Sequence, residues 1–297
     1  MRGVTLIAIG GYGYLKWAVN MAVSLKYHSP DVAIQLITSE KLFLDASGKK
    51  ELFDIITVVE NQMFEDESGR LFPAKLKTQL YQLLHFDETI YLDVDGCIIK
   101  DITPLFEIKE NLATDVQGVY DISQGAVFNH LKWAKPKEIW EHFNLPKEAK
   151  LPAINSSFLF LRKCKEVEVL FQLSHWLLME TPLPYSKHWY IWGHHREHKV
   201  SQPDELYLNV AMAKLNIIPK NEVAIYFRMM NDPGERESLY SVRTKFYGIG
   251  LFGQLETNHR SSREMYDSAM RQMWYEKTGT TTFETSENLS KTKFAVI

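Results

Sequence analysis

The chain has 297 residues, with 34 Lys and Arg against 37 Asp and Glu, for a formal net charge of -3. Hydrophobic residues make up 45% and charged residues 24%, values that exclude a wholly disordered or fibrous protein. The near-neutral charge excludes a nonspecific polyanion binder, and two cysteines are too few for a disulfide framework or a thiolate metal cage.

The first hundred residues alternate apolar runs with helical patterns. The runs typical of buried parallel strands cover 4–9, 32–38, 55–59 and 89–92. Helical spacing of apolar residues predicts helices over 15–27 and 74–86. Strands and helices that alternate in this way, joined by right-handed crossovers, predict an α/β fold with a Rossmann-like, mostly parallel central sheet flanked by helices.

The rest of the chain is more mixed. The predicted strands are 116–120 and 157–161, and the predicted helices are 167–179 and 203–215. Ser201 is the expected cap of the last helix, and 278–297, rich in Thr, Ser and Lys, is expected to be a loosely held tail. We expect one compact domain over 1–277, with a nucleotide-binding half of about 1–100 and an acceptor half of 101–277.

Membrane and export signals are not found in the sequence. No apolar run approaches the roughly 20 residues of a membrane-spanning helix. The first apolar run is too short for a signal peptide and ends at two glycines. A soluble, cytoplasmic protein is therefore predicted.

Two acids follow the fourth predicted strand, in Asp93-Val94-Asp95, with Gly96 expected to supply the turn. Ligands of open α/β sheets bind at the carboxyl ends of strands, and side chains two residues apart in an extended segment point the same way. Such paired carboxylates would bind Mg²⁺ or Mn²⁺, and the ion would neutralise a diphosphate. The pattern fits haloacid-dehalogenase phosphatases, with Asp93 as nucleophile, and also GT-A glycosyltransferases.

Sequence similarity over a longer part of the chain favours the glycosyltransferases over the phosphatases. Four segments carry it: LIAIGGYGYLKWAVNMAVSLK, KLKTQLYQLLHFDETIYLDVDG, INSSFLFLRK and SQPDELYLNVAM. From about residue 4 to 260 the chain resembles the glycogenin-like family of retaining GT-A glycosyltransferases. The resemblance implies an enzyme of the hexosyltransferase type that uses Mn²⁺ or Mg²⁺ and a nucleotide-sugar, with a UDP-sugar as expected donor. It also implies that the anomeric configuration is retained.

The resemblance assigns roles to single residues. The implied nucleotide contacts are Gly11, Tyr14, Lys77, Asp93, Val94 and Ser156. The implied metal ligands are Asp93, Asp95 and His259. The implied catalytic residues are Lys77, Asn155 and Asp204. Tyr14 would meet the base, Lys77 the sugar and phosphates, and Asp204 the region of the anomeric carbon. Ser157 stands where the family has glycine, and Glu205 where it has glutamine.

An aromatic and histidine-rich segment, Lys187–Lys199, is the predicted acceptor-side loop. Trp189, Tyr190 and Trp192 offer flat faces on which sugars or bases stack. The alternative is a zinc site on a helix face that carries His194 and His198. The basic residues Lys132, Lys135 and Lys137 form a possible nucleic-acid edge.

Glycan, protein and nucleic acid therefore all stay open as acceptors, and oligomerisation is left open as well. A further alternative is a non-catalytic protein that binds sugar-nucleotides or glycans.

Overall fold

The computed structural model describes residues 1–39, 46–121, 136–146, 148–183, 189–191, 194–196, 203–219, 227–229, 246–250, 260–279 and 285. The chain divides into two compact units, each made of separate stretches. The first unit takes Met1–Asn61, His85–Lys109 and Val223–Ile297, and the second takes Gln62–Leu84 and Glu110–Glu222. The domain boundaries expected from the sequence stay predictions.

Eleven strands and seven α-helices are described. The strands are β1 (Arg2–Ala8), β2 (Ala33–Ser39), β3 (Ile55–Val59), β4 (Glu88–Leu92), β5 (Gly96–Ile98), β6 (Leu112–Asp121), β7 (Lys150–Arg162), β8 (Trp189–Ile191), β9 (His194–Arg196), β10 (Phe227–Met229) and β11 (Gly248–Gly250). The helices are α1 (Tyr12–His28), α2 (Pro73–Lys77), α3 (Leu80–Leu83), α4 (Pro136–Phe143), α5 (Lys165–Glu180), α6 (Asp204–Lys214) and α7 (Arg260–Thr278).

The first unit contains the predicted parallel sheet. Its strands lie in the order β3-β2-β1-β4, and each neighbouring pair is parallel. The central strand β1 is buried from Gly3 onward, which explains why its sequence is an apolar run rather than an alternating pattern. The prediction of an α/β fold with a mostly parallel sheet is confirmed, and the four strand bounds differ from the expected ones by at most two residues.

Helix α7 packs on α1 in the first unit and was not predicted. The Asn20 Nδ2 of α1 donates to the Tyr266 hydroxyl of α7 at 3.1 Å, and the rings of Trp17 and Tyr266 lie 5.3 Å apart. The sequence did carry a signal for α7, because Tyr266, Met270 and Met273 recur at helical spacing and are all buried. Since α1 is packed by both the sheet and α7, it is apolar on nearly every face.

The second unit is organised around an antiparallel pair, β6 and β7, in which the register shifts at two positions. Strand β7 covers 150–162, whereas the sequence predicted only 157–161. Helices α5 and α6 pack on each other, and α6 also packs on β7. The strands β8 and β9 form a short antiparallel hairpin. His194 therefore lies in a strand, so the alternative of a zinc-binding helix face with His194 and His198 is wrong for His194.

The prediction of one continuous helix over 74–86 is wrong, because the structure interrupts it. It consists of α2 and α3, separated by Thr78 and Gln79. In a continuous helix, the carbonyl of Lys75 would accept from the N–H of Gln79. Instead, the Thr78 hydroxyl and the side-chain Nε2 of Gln79 donate to that carbonyl at 3.1 and 2.8 Å. These side-chain hydrogen bonds compete with the helical pattern, as polar side chains near helix ends often do.

Within the part of the chain that the structure describes, none of the helices combines the length and the apolar character needed to cross a bilayer.

Candidate active site

Two glycines shape the loop between β1 and α1. Gly10 has a φ of 85° and Gly11 a φ of 147°, values that residues with side chains rarely adopt. The loop places the N-terminus of the 17-residue helix α1 directly after the carboxyl end of β1, and such a helix end favours anionic groups such as phosphate. Tyr14 is half-buried in the first turn, whereas the ring of Tyr12 is 50% exposed. Sequence reasoning did not select Tyr12, which offers the more accessible ring.

The acidic pair lies at the same edge of the first unit's sheet. Strand β4 pairs in parallel with β1, and the last paired residues are Leu6 and Leu92. Asp93 is thus the next residue beyond the end of β4. Asp93 and Asp95 are both half-buried, whereas Val94 between them is 5% exposed. The two carboxylates flank a core side chain, and the chain bends at Val94 and Asp95 between β4 and β5.

Neighbours of the acidic pair include one residue that sequence reasoning missed. The hydroxyl of Tyr91, a buried side chain two residues before Asp93, donates to Asp93 Oδ1 at 2.6 Å. The i, i+2 spacing of Tyr91 and Asp93 was the available signal. The expected role of Gly96 is wrong, because Gly96 does not form a turn. It is the first residue of β5 and pairs with Gly250 of β11.

Helix α7 adds a buried hydroxyl near Asp95. Burial raises the pKa of Tyr266 well above its usual value, and the nearby Cys97 and Asp95 contribute in the same direction. The hydrogen bond from Asn20 opposes the shift without reversing it. The phenol therefore stays protonated near Asp95 and adds no third negative charge to the acidic pair.

The donor atoms of Asp93 and Asp95 suit Mg²⁺ or Mn²⁺, which prefer carboxylate oxygens. Both side chains are accessible enough to be reached by an ion. Among the described residues, no group of three or more His, Cys, Asp or Glu side chains is arranged to hold a metal. The proposed third ligand, His259, lies outside the described residues. The described residues thus supply two carboxylates that could hold such an ion.

Lys77, Ser156 and Asp204 come together in the second unit. Lys77 Nζ lies 3.5 Å from Asp204 Oδ2 and donates to Ser156 Oγ at 3.5 Å. The Lys77 and Asp204 side chains are 17% and 16% exposed, so water screens this ion pair only partly. Asp204 begins α6, where the helix dipole favours a negative charge. Within the described residues, no donor makes a hydrogen bond to the buried Asp204 Oδ2.

Helix α6 also holds the backbone of β7. Glu205 is 9% exposed, and its Oε1 accepts the N–H of Ser156 at 3.3 Å. One turn later, Asn209 Oδ1 accepts the N–H of Ile154 at 3.1 Å. Glu205, which stands where the resembled family has glutamine, thus supports β7 at Ser156. Asn209 was missed, although polar residues four apart on a buried helix were a signal.

The predicted catalytic Asn155 uses its amide oxygen locally. Asn155 Oδ1 accepts from both the N–H and the hydroxyl of Ser157, at 3.0 and 2.6 Å. The departure from glycine at Ser157 therefore supplies a second donor to Asn155. These two hydrogen bonds from Ser157 fix the side chain of Asn155, which is 3% exposed.

Tyr207 holds α6 in place. Its buried hydroxyl accepts from the Leu183 N–H at 3.0 Å, and its ring packs edge-on against Phe143 at 6.0 Å. Burial raises the pKa of Tyr207 to about 12, while the hydrogen bond from Leu183 acts in the opposite direction.

We expect the raised pKa of Tyr207 to make the free energy of unfolding fall as the pH rises above about 10. An unfolded tyrosine ionises near pH 10, whereas folded Tyr207 keeps its proton up to about pH 12. The unfolded state therefore loses its proton first, so this stabilisation is complete below about pH 10 and falls as the pH rises. Between about pH 9 and pH 11 the loss should be about 1.4 kcal/mol. Urea unfolding of the wild type and Tyr207→Phe at both pH values measures it, and equal pH dependence in both proteins would contradict the assignment.

Several predicted residues lie outside the described part of the chain: His198, Trp192, Lys132 and Lys135, and most of the predicted tail. The expectation that Ser201 caps the last predicted helix is wrong, because α6 begins at Asp204 and its N-cap is Pro203. For Trp189, Tyr190 and His194 the structure describes the backbone only. Lys137, the described member of the predicted basic edge, is exposed on α4 and lies 3.7 Å from Glu141.

Comparison with solved structures identifies the fold. A galactosyltransferase, LgtC, solved with donor and acceptor sugar analogues, has 12% identity, with 91% of this chain and 95% of that one covered and a TM-score of 0.54. The apo GlyE glycosyltransferase of Streptococcus pneumoniae has 14% identity, covering 94% and 64%, with a TM-score of 0.53. The fold is that of GT-A glycosyltransferases.

A third similar structure, the bifunctional glycosyltransferase WbbM, has 10% identity and a TM-score of 0.56. The match covers 93% of this chain and 50% of WbbM, so this GT-A chain corresponds to half of that protein. No protein-family model matches the chain, and no curated protein sequence matches it. Since all three structures are glycosyltransferases, the phosphatase alternative is not favoured.

Proposed function

We propose that the chain is a metal-dependent glycosyltransferase that moves a sugar from a nucleotide-sugar, with UDP-sugar as the expected donor, and retains the anomeric configuration. The observation that carries the proposal is the acidic pair Asp93 and Asp95 at the carboxyl end of β4, in a chain with a GT-A fold. Bound donor and acceptor analogues in the similar LgtC structure support a reaction of this type.

The diphosphate is proposed to bind in the first unit. Asp93 and Asp95 would hold Mn²⁺ or Mg²⁺, which neutralises charge on the diphosphate when bound. The N–H groups at the start of α1, after Gly11, would donate to a phosphate, as at other helix N-termini. Tyr14 or the more exposed Tyr12 would stack on the base. The half-exposed carboxylates allow an ion to enter without disturbing the core.

The sugar is proposed to bind at the Lys77 and Asp204 group of the second unit. A buried carboxylate oxygen without a hydrogen-bond donor has unmet capacity, and a sugar hydroxyl would satisfy Asp204 Oδ2. Lys77 would move from its long 3.5 Å contact with Asp204 to a phosphate oxygen, where its charge stabilises the leaving group. Asp204 would stabilise the positive charge that develops at the anomeric carbon.

Isothermal titration of UDP with and without Mn²⁺ tests the donor assignment. Binding that depends on the metal is the expected result, and the absence of any metal-dependent binding would count against the proposal. A thermal-shift panel of nucleotide-sugars with Mn²⁺ would then identify the sugar, because a ligand selective for the native state raises its apparent stability. Retention is checked by the anomeric configuration of the product by NMR.

A further inference from the structure

The segment that carries Lys77 is hydrogen-bonded to helix α5 at two points. The Thr78 hydroxyl lies 2.9 Å from His175 Nδ1, and the Tyr81 hydroxyl donates to the Cys164 carbonyl at 3.0 Å. Thr78 is only 1% exposed, so its hydroxyl depends on protein partners rather than on water. His175 and Thr78 thus link α5 to the residue directly after Lys77.

This link bears on Lys77 because Lys77 is the last residue of α2. Helix α2 has only five residues, and so short a helix has almost no stability of its own. The Lys77 ammonium contacts Asp204 and Ser156 at 3.5 Å each, at the outer limit of a hydrogen bond, so a small shift of the helix end would break both contacts. The contacts that hold the end of α2 therefore help to set where the Lys77 ammonium lies.

We propose that His175 is a positioning residue, which acts through Thr78 to hold the end of α2 where Lys77 reaches Asp204 and Ser156. Its consequence for sugar transfer rests on the proposed function. The Thr78 hydroxyl donates its one hydrogen to the Lys75 carbonyl, so the matching neutral tautomer of His175 carries its proton on Nδ1 and donates it to the Thr78 oxygen. Burial lowers the pKa of His175, and Lys75 adds to the effect, so the ring stays neutral at neutral pH.

Hydrogen exchange of the amides in 73–83 tests the link without any assay of activity. His175→Leu removes the ring nitrogen and should speed exchange in this segment about fivefold, the effect of one lost hydrogen bond. Thr78→Val has almost the same shape but also removes the hydrogen bond from Thr78 to the Lys75 carbonyl, so it should speed exchange at least as much. Thr78→Ser and His175→Asn keep a hydrogen-bonding atom at the same place and should restore slow exchange. Unchanged exchange in both disruptive variants would overturn the proposal.

Turnover of the nucleotide-sugar tests whether the effect reaches the reaction through Lys77. His175→Leu should lower kcat/KM about fivefold in the wild type and cause no further loss in a Lys77→Met background. Equal losses in both backgrounds would show a general structural effect and overturn the positioning role. If the wild type turns over no nucleotide-sugar, the proposed function fails, and the exchange result alone decides whether His175 holds this segment.

Discussion

Asp95→Asn should abolish metal-dependent binding of UDP and lower sugar transfer about 10³-fold. The amide has nearly the size of the carboxylate but no charge, so it is a poor ligand for Mn²⁺ or Mg²⁺. One charge contact near 4 Å at an effective dielectric of about 20 corresponds to about 4 kcal/mol. Because Asp95 is half-buried at the sheet edge, the free energy of unfolding should change by less than about 1 kcal/mol. Titration calorimetry, a transfer assay and urea unfolding measure the three quantities.

Asp87→Asn is the matched control for this variant. Asp87 precedes the other end of β4 and forms an exposed ion pair with the N-terminal amino group at 2.7 Å. Exposed pairs of this kind contribute little to stability, so the control should keep both metal-dependent binding and transfer. Wild-type binding and transfer by Asp95→Asn would show that the acidic pair does not hold the metal.

Lys77→Met should lower kcat/KM about 10²- to 10³-fold, the usual cost of removing a group that stabilises charge on the leaving group. It also leaves Asp204, a side chain 16% exposed, without its cation, which should cost about 1–3 kcal/mol of stability. The double variant Lys77→Met/Asp204→Asn should recover part of that stability but none of the activity, because the two residues are coupled. Thermal or urea unfolding and steady-state kinetics measure the four proteins of this cycle.

Lys75→Met provides the contrast two residues away. Lys75 Nζ donates to the carbonyls of Gln62 and Glu65 at 2.6 and 2.9 Å, so its ammonium group stabilises the backbone of that neighbouring segment. This variant should lose stability and lose less activity than Lys77→Met. If the two variants lost activity equally, the specific role of Lys77 in the reaction would be contradicted.

The sequence predicted best the strands in which nearly all residues are apolar, because such a run can be recognised from the sequence alone. Strands β1, β2 and β4 are largely apolar runs because both faces are buried, and a run of that kind is visible locally. Strand β3 is more exposed, but its run of Ile and Val is equally visible. Strands β5 and β11 have three residues each, and their pairing joins residues about 150 positions apart, as Ile98 and Gly248 show. No local pattern reveals such a pair. The break between α2 and α3 depends on the hydrogen bonds from the Thr78 and Gln79 side chains to the Lys75 carbonyl. The residue types alone do not predict these hydrogen bonds.

The candidate site could be predicted only in part, for a similar reason. The acidic pair is visible because Asp93 and Asp95 are neighbours after a recognisable strand. The approach of Lys77 to Asp204 joins residues on different helices, and only the resemblance to a known family suggested it. The backbone supports from Glu205 and Asn209 and the link from His175 to Thr78 appear only once the helices are packed. Spacing along the chain does not reveal these contacts.

The pairing of α1 with α7 has a consequence for biosynthesis. Trp17 and Asn20 emerge from the ribosome early, but their partner Tyr266 is translated roughly 250 residues later. Until then, one side of α1 stays uncovered and offers apolar surface to other nascent chains. The first unit can therefore reach its native packing only after most of the polypeptide has been made, and chaperone binding during translation should concentrate on that early helix.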